Sequence, residues 1–456
     1  MSRLMLLAVA SSMVLGSPTA GRADAEDKAV EFVKKINGKF TRDDNQPGKP
    51  VITVTLDETD VTDADLKELA PLKNLTTLSL RTTQVTEVGL RELAPLKNLT
   101  TLFLSKTQVT DAALKTLREI NRLHALSGAT TLDDSRPAKS EDVIALDLSG
   151  TAVTDTCLKE LAPLKNLTYI NLDGTAVTDG GLKELTPLKK LTELRLRETK
   201  VTDAGLRELA PLKGLNYVAL EPTTVTDRAL AVLREIDLLH SLTGAEARNG
   251  KRPSKPEEVH TLKLWSTAVT DAGLKELAAF KNLADLTLRG SKITDAGLRE
   301  LEPLKNLTTL DVSFTAVTGA GLKELAALKK LTNLALCYTG VTDTGLKELS
   351  VIENLASLSL GGPKITNAGL KELVSLKNLT ALSLREATIT DAGLKELAAL
   401  HKLSTLDLRS KDVTDAGLKS IATLKTLTTL YLTYTKATDA GLKELQKSLP
   451  NCKINR

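Results

Sequence analysis

Residues 61–84, VTDADLKELAPLKNLTTLSLRTTQ, are the unit from which most of the chain is built. The same pattern restarts at Val85 and Val109, then at Val153, Val177, Val201 and Val225, then at Val269, Ile293, Val317, Val341, Ile365, Ile389, Val413 and Ala437. Successive starts of these fifteen units lie 24 residues apart, except from Val109 to Val153 and from Val225 to Val269, where the step is 44. A fixed period of this length with Leu at set offsets marks a stacked repeat array, in which each unit buries its apolar face only against its neighbours.

Two hydrophobic periods alternate inside one unit. Leu78 and Leu80 alternate with Thr77, Ser79 and Arg81, as in a half-buried strand. Leu66, Leu69 and Leu72 are spaced by three, which suits one face of a short helix. Asp63 is expected at the N-cap, where its carboxylate would accept the free N–H groups of its own helix. Pro71 is expected to stop that helix after about two turns.

The stretch from Leu75 to Val85, LxxLxLxxTxV, followed by segments such as TDAGLKEL at 202–209, resembles a leucine-rich repeat, closest to the F-box-associated and bacterial GALA-like subtypes with a short helix per turn. The resemblance implies an α/β solenoid, a horseshoe of about fifteen strand-helix units with a parallel sheet on its concave side. It also implies protein or peptide binding on that side. The usual Asn or Cys of the turn is replaced by Thr59, Thr83, Thr107, Thr151, Thr175, Thr199, Thr223, Thr267, Thr315, Thr339 and Thr435, with Ser291 as a further hydroxyl. These predict a hydroxyl ladder bonded to backbone inside each turn, irregular at Pro363, Ala387 and Lys411.

In chain order, residues 1–25 read as an export signal: Arg3, an apolar run over 4–15 too short to span a bilayer, and the small-residue site Ala23-Asp24-Ala25. Residues 26–50 form a leader, with Val30, Val33 and Ile36 spaced by three and Gly38 as helix stop. Repeat blocks are expected at 51–118, 143–234 and 259–445, separated by inserts at 119–142 and 235–258 that repeat the leader, and 446–456 as a cap over the last helix row. Either each leader caps its block, giving three sub-domains, or the solenoid runs on past two bulges. His124 and His240 occupy matched leader positions and are expected to pack rather than bind metal.

The chain carries 61 Lys and Arg against 57 Asp and Glu, a balance that offers no footprint for nucleic acid. Its three cysteines form no CxxC pair, and no GxSxG, HExxH, GxxxxGK[ST] or GxGxxG motif occurs. Glu68, Glu92 and Glu160 read as a repeated solvated face, and Arg248, Lys251, Arg252 and Lys255 as a solvated linker. No enzyme activity, metal or cofactor is expected, and no membrane insertion after signal removal. The informative positions are the outward strand residues, which hold eight of the 11 aromatics: Phe103, Tyr169, Tyr217, Trp265, Phe314, Tyr338, Tyr431 and Tyr434. Tyr169, Tyr217 and Trp265, flanked by Arg195, Arg197 and Lys263, are expected to form the main contact patch, with Arg289 further along the same face. The leading expectation is an exported, non-enzymatic protein-binding scaffold in the periplasm or outside the cell; the alternatives are a substrate adaptor in ubiquitin-dependent degradation, for which no F-box is present, and a surface-structural spacer.

Overall fold

The structure, a computed structural model, describes residues 18–456. Most of the expected export segment therefore lies outside the described residues; its last part belongs to helix Pro18–Lys35. The chain divides into two compact units, the first ending at Ile170 and the second beginning at Asn171.

In the first unit, strand Lys39–Arg42 pairs antiparallel with Val51–Thr55, which continues in parallel to Thr77–Ser79 and Thr101–Phe103. In the second, Glu193–Arg195 pairs in parallel with Tyr217–Ala219. A longer sheet then begins at the antiparallel pair Ala245–Ala247 and Val259–Lys263 and runs in parallel, one strand per repeat, to Lys453–Asn455. The antiparallel pair shifts register between Glu246 and Ala247, but along the parallel run the register holds: Leu262, Leu286, Leu310, Leu334, Leu358, Leu382, Leu406 and Leu430 face one another in sequence. The apolar anchors of the first repeat, Val61, Leu66, Leu69, Leu72, Leu75, Leu78 and Leu80, are all buried, which is why a one-residue slip is not tolerated. Phe280 is also fully buried, so the Leu core does accept an aromatic ring.

The helical side is tighter than expected, one turn of α-helix such as Glu87–Leu90 leading into 3-10 turns such as Arg91–Leu93. Asp63 is not the N-cap. Thr62 holds that position, and the Asp63 carboxylate reaches the next repeat, where it accepts the Thr86 backbone N–H at 2.7 Å and the Thr86 hydroxyl at 2.6 Å. The same bond joins Asp179 to Thr202, Asp271 to Thr294, Asp343 to Thr366 and Asp415 to Thr438. Thr thus caps its own helix while its N–H is satisfied by the Asp one repeat earlier, which explains the recurring Thr-Asp pair. The hydroxyl ladder forms within most turns, for example from Thr83 to the Leu80 carbonyl at 2.8 Å and from Ser291 to Leu288 at 2.6 Å, but it is broken before each hairpin, where Thr107 lies against Ser105 and Thr224 rather than Thr223 bonds the Glu221 carbonyl. At Lys411 the neighbouring Ser410 bonds Ile389 instead, and before Pro363 and Ala387 the strands lengthen to Ser357–Gly361 and Ala381–Arg385.

The leaders share one plan. Each ends a helix with a non-glycine residue in the left-handed region, Asn37, Asn121 or Asp237, followed by an N–H bonded five residues back: Gly38 to Val33, Arg122 to Leu117, Leu238 to Leu233. Gly38 is therefore not itself the helix stop. Each leader then makes an antiparallel strand pair with the first strand of the following block. On the sheet side, parallel pairing shrinks to single bridges, Leu102 to Leu126 and Val218 to Leu242. On the helical side nothing is interrupted, because Asp111 reaches Thr154 and Asp227 reaches Thr270 with the same geometry, both at 2.8 Å. Glu160 and Glu276 are buried and paired with Arg118 and Arg234 across the same steps, so Glu160 is not part of a solvated face. The helix row runs on, and each insert is a hairpin added to the sheet side.

Residues 446–456 also depart from expectation. Lys453–Asn455 does not cover the helix row; it adds a strand in parallel to Thr429–Tyr431, with Ile454 opposite Leu430. Ile454 continues the Leu register and its backbone satisfies the otherwise open strand edge.

Candidate binding site

Alternation along each strand turns Leu262 and Leu264 inward and leaves Lys263 and Trp265 outward. The eight aromatics expected on this face fall into different settings. Phe103 and Tyr217 are covered. The Arg136 guanidinium lies 5.7 Å from the Phe103 ring centre and Arg81 4.6 Å from it; Arg252 lies 3.9 Å from Tyr217 and Arg195 5.7 Å from it. Arg136 and Arg252 hold equivalent places in the two hairpins and donate to carbonyls there, Ser127 at 2.6 Å and Thr243 at 2.9 Å. A planar guanidinium can stack and hydrogen-bond at once, so these arginines pin each hairpin onto the sheet. Arg252, although exposed like Arg248, Lys251 and Lys255 of the expected solvated linker, thus also packs over Tyr217, and Tyr217, at 5% exposure, has no free face. Sequence reasoning missed this role, and the repeated Arg-Pro at 136–137 and 252–253 is the signal that could have found it.

Phe314, Tyr338 and Tyr434 are not on the strands. They occupy the left-handed turn position after them, with φ of 59°, 54° and 66°, where a bulky side chain is costly. Phe314 and Tyr338 stack at 4.8 Å, Arg289 lies 4.4 Å from the Phe314 ring centre, and the Tyr338 hydroxyl donates to Glu386. This row forms an exposed aromatic ledge along the rim of the sheet. Tyr431 projects from strand Thr429–Tyr431 near the end of the sheet, and Tyr169, in the first unit, is half-buried in strand Tyr169–Asn171. Arg385 and Arg409 share the buried carboxylate of Asp407, at 2.7 and 3.2 Å.

Trp265 is 55% exposed and stands at a cleft of about 250 Å³ in the second unit. The cleft exists because the sheet is held there by one bridge, Val218 to Leu242, leaving Leu220, Pro222, Val225 and Leu242 as an apolar floor. Arg197 and Lys263 line the same cleft, and Lys263 is paired with Glu246 at 2.8 Å. Of the expected patch, the structure thus brings Arg197, Lys263 and Trp265 together, while Tyr217 and Arg195 belong to the covered stack; Arg195 also pairs with Glu193 at 3.1 Å. The floor residues are not legible as a site, since Leu220, Val225 and Leu242 read as core positions; Pro222, in place of the usual turn residues, is the one signal that could have marked it. A wider, more polar hollow of about 1000 Å³ lies beside the second hairpin, lined by Arg248, Lys251, His260, Asn282 and Lys330 among others.

Among the described residues no group of three or more His, Cys, Asp or Glu is placed to hold a metal ion. His124 and His240 are buried at 2% and 3% exposure, with ring Nδ1 atoms that have no hydrogen-bond partner, and burial pushes both imidazoles below their ordinary pKa. Cys157, Cys337 and Cys452 are free, and burial pushes all three thiols up, away from the reactive thiolate.

A family model described as Leucine Rich repeat matches residues 188–210, 304–326, 375–398 and 399–422. The chain carries leucine-rich repeats and folds as a leucine-rich-repeat solenoid. Similar solved structures include a leucine-rich-repeat protein of Leptospira interrogans, 24% identical over 89% of this chain and 90% of that one with a TM-score of 0.46. An internalin of Listeria monocytogenes is 23% identical over 71% and 89%, with a TM-score of 0.42. The ectodomain of the plant membrane receptor kinase GASSHO1/SCHENGEN3 from Arabidopsis thaliana, solved in complex with CASPARIAN STRIP INTEGRITY FACTOR 2, is 16% identical over 91% and 57%, with a TM-score of 0.41. A comparison with curated proteins yields no match.

Proposed function

We propose that this protein is an exported, non-enzymatic scaffold that binds a protein or peptide ligand on the sheet face of its second unit. The observation that carries the reading is Trp265, a large side chain left exposed at the mouth of an apolar cleft while the rest of the repeat packs its apolar residues inside. Exposed apolar surface costs stability and solubility and is commonly retained where a partner covers it. The Phe314–Tyr338 ledge supports the same reading, because bulky residues are held there in a backbone region that disfavours them. Stacked repeats lend themselves to this use, since they set out an extended surface of one residue row per unit. Export is supported by the charged, apolar and small-residue segments of residues 1–25; among the described residues no helix is long and apolar enough to cross a membrane.

The test is photo-crosslinking in the producing cell from positions 265 and 338, with Lys275 on the helical side as control, together with fractionation. A discrete partner captured from 265 and 338 but not from 275, in an envelope or extracellular fraction, is the expected result. Equal capture or none from all three positions would leave a surface-structural spacer as the better account.

A further inference from the structure

Resting on the peptide-binding reading, we infer that the Trp265 cleft takes a peptide segment in which a large aliphatic or aromatic side chain is flanked by a carboxylate. The floor of Leu220, Pro222, Val225 and Leu242 offers no hydrogen-bonding side chain, and the hydroxyls of Thr243 and Thr267, which also line the cleft, already donate to the Val218 and Leu264 carbonyls, so the cleft suits an apolar group. A volume of about 250 Å³ suits one large side chain and is too small for a folded element. The polar requirement comes from the charges at the mouth. Lys263 is already neutralised by Glu246. Arg197, also lining the cleft, has no acidic side chain within ion-pair distance among the described residues, so the cleft keeps one uncompensated guanidinium. A guanidinium presents a planar fork that matches a carboxylate, and it stays charged at any physiological pH. A basic ligand would meet the Arg197 charge and be repelled.

The hairpin architecture opens the cleft but does not set what its mouth presents. In the first hairpin the equivalents of Pro222, Lys263 and Trp265 are Lys106, Asp147 and Ser149. There the Lys106 side chain runs along Gly150, with Nζ 3.0 Å from where a Cβ on that glycine would sit. The same backbone plan, with Leu104, Val109 and Leu126 at the places of Leu220, Val225 and Leu242, thus carries a charged side chain and no indole in one place, and a proline with an indole in the other.

Trp265 is the only tryptophan of the chain, so its emission reports on the cleft directly. The full-length exported protein is titrated with three acetylated and amidated pentapeptides, Gly-Asp-Leu-Asp-Gly, Gly-Asn-Leu-Asn-Gly and Gly-Asp-Ala-Asp-Gly. The first is expected to shift Trp265 emission saturably, the second to bind about fivefold more weakly, the value of an exposed ion pair, and the third not to saturate. Arg197→Gln should bring the first two peptides to equal affinity, whereas Arg289→Gln should leave the fivefold gap in place. Equal affinity of the Asp and Asn peptides for the unmodified protein, or a gap that survives Arg197→Gln, overturns the assignment. If no peptide shifts the emission while position 265 still crosslinks a partner, this ligand chemistry is wrong and the scaffold reading stands. Failure of both measurements removes both.

Discussion

The hairpin after helix Asp111–Glu119 and the one after helix Asp227–Glu235 share a left-handed helix end, a single parallel bridge, a glycine under the antiparallel strand and an arginine over an aromatic ring. Their exposed side chains differ. The first presents Lys106, Asp147 and Ser149, the second Pro222, Lys263 and Trp265. The shared set is what a hairpin needs in order to sit on the sheet, and the differing set is what the hairpin does not need. Residues that vary on a constant scaffold are where a ligand can act without cost to the fold.

The largest effect should come from the shared set. A Cβ at Gly128 would meet the Asp147 carbonyl at 2.2 Å, and one at Gly244 would meet the Lys263 carbonyl at 2.0 Å. Gly128→Val and Gly244→Val should each cost about 3 kcal/mol, read as a lower melting temperature. Only Gly244→Val should also red-shift Trp265 emission, because only that hairpin carries the indole; a red shift in both would mean that the two junctions are coupled.

Next come the differing residues. Trp265→Ala is expected to weaken capture of a protein ligand by about 30-fold, the scale of an interface hot spot, with little change in melting. Ser149→Trp, which places an indole at the matching site beside Lys106 instead of Pro222, should leave capture unchanged. A gain from Ser149→Trp would show that the indole alone, and not the cleft, recognises the ligand.

Removing the helical-side link should matter less and equally at both steps. Asp111→Ala and Asp227→Ala each leave a Thr N–H without its carboxylate and should cost about 1 kcal/mol in urea unfolding. A much larger loss at one of them would indicate that its block is held mainly from the helical side.

The smallest and most gradual effect is with pH. Burial holds His124 and His240 below the ordinary value near 6.5, so the unfolded chain binds protons that the folded chain does not. Their contribution is intact above about pH 6.5 and is lost as pH falls through the lower folded values. Melting temperature should therefore decline on acidification below about pH 6.5, and replacing both histidines with Leu should flatten the decline in that window.

Much of this was legible before folding. The period, the strand-helix alternation and the in-turn hydroxyl ladder follow from local spacing, and Thr83 and Ser291 bond as their positions imply. Asp63 was misplaced because one repeat in isolation offers its carboxylate only its own helix, whereas stacking offers Thr86 at shorter reach. Phe314 and Tyr338 read as strand residues in the sequence because period-2 alternation does not register a left-handed turn. Tyr217 and Trp265 looked alike as outward aromatics, and they separate only when Arg252 folds back over one of them.

What the sequence by itself determined is the repeat, since each unit carries the Leu spacing and the Thr-Asp pair that its neighbours use. What only the tertiary structure decided is which surface remains open. That depends on the Asp227 carboxylate reaching Thr270, 43 residues away, on Arg252 covering Tyr217 from a hairpin 35 residues further along, and on a sheet reduced to one bridge beside Trp265. Local spacing cannot encode such contacts, because each is made by residues that meet only after the repeats have stacked.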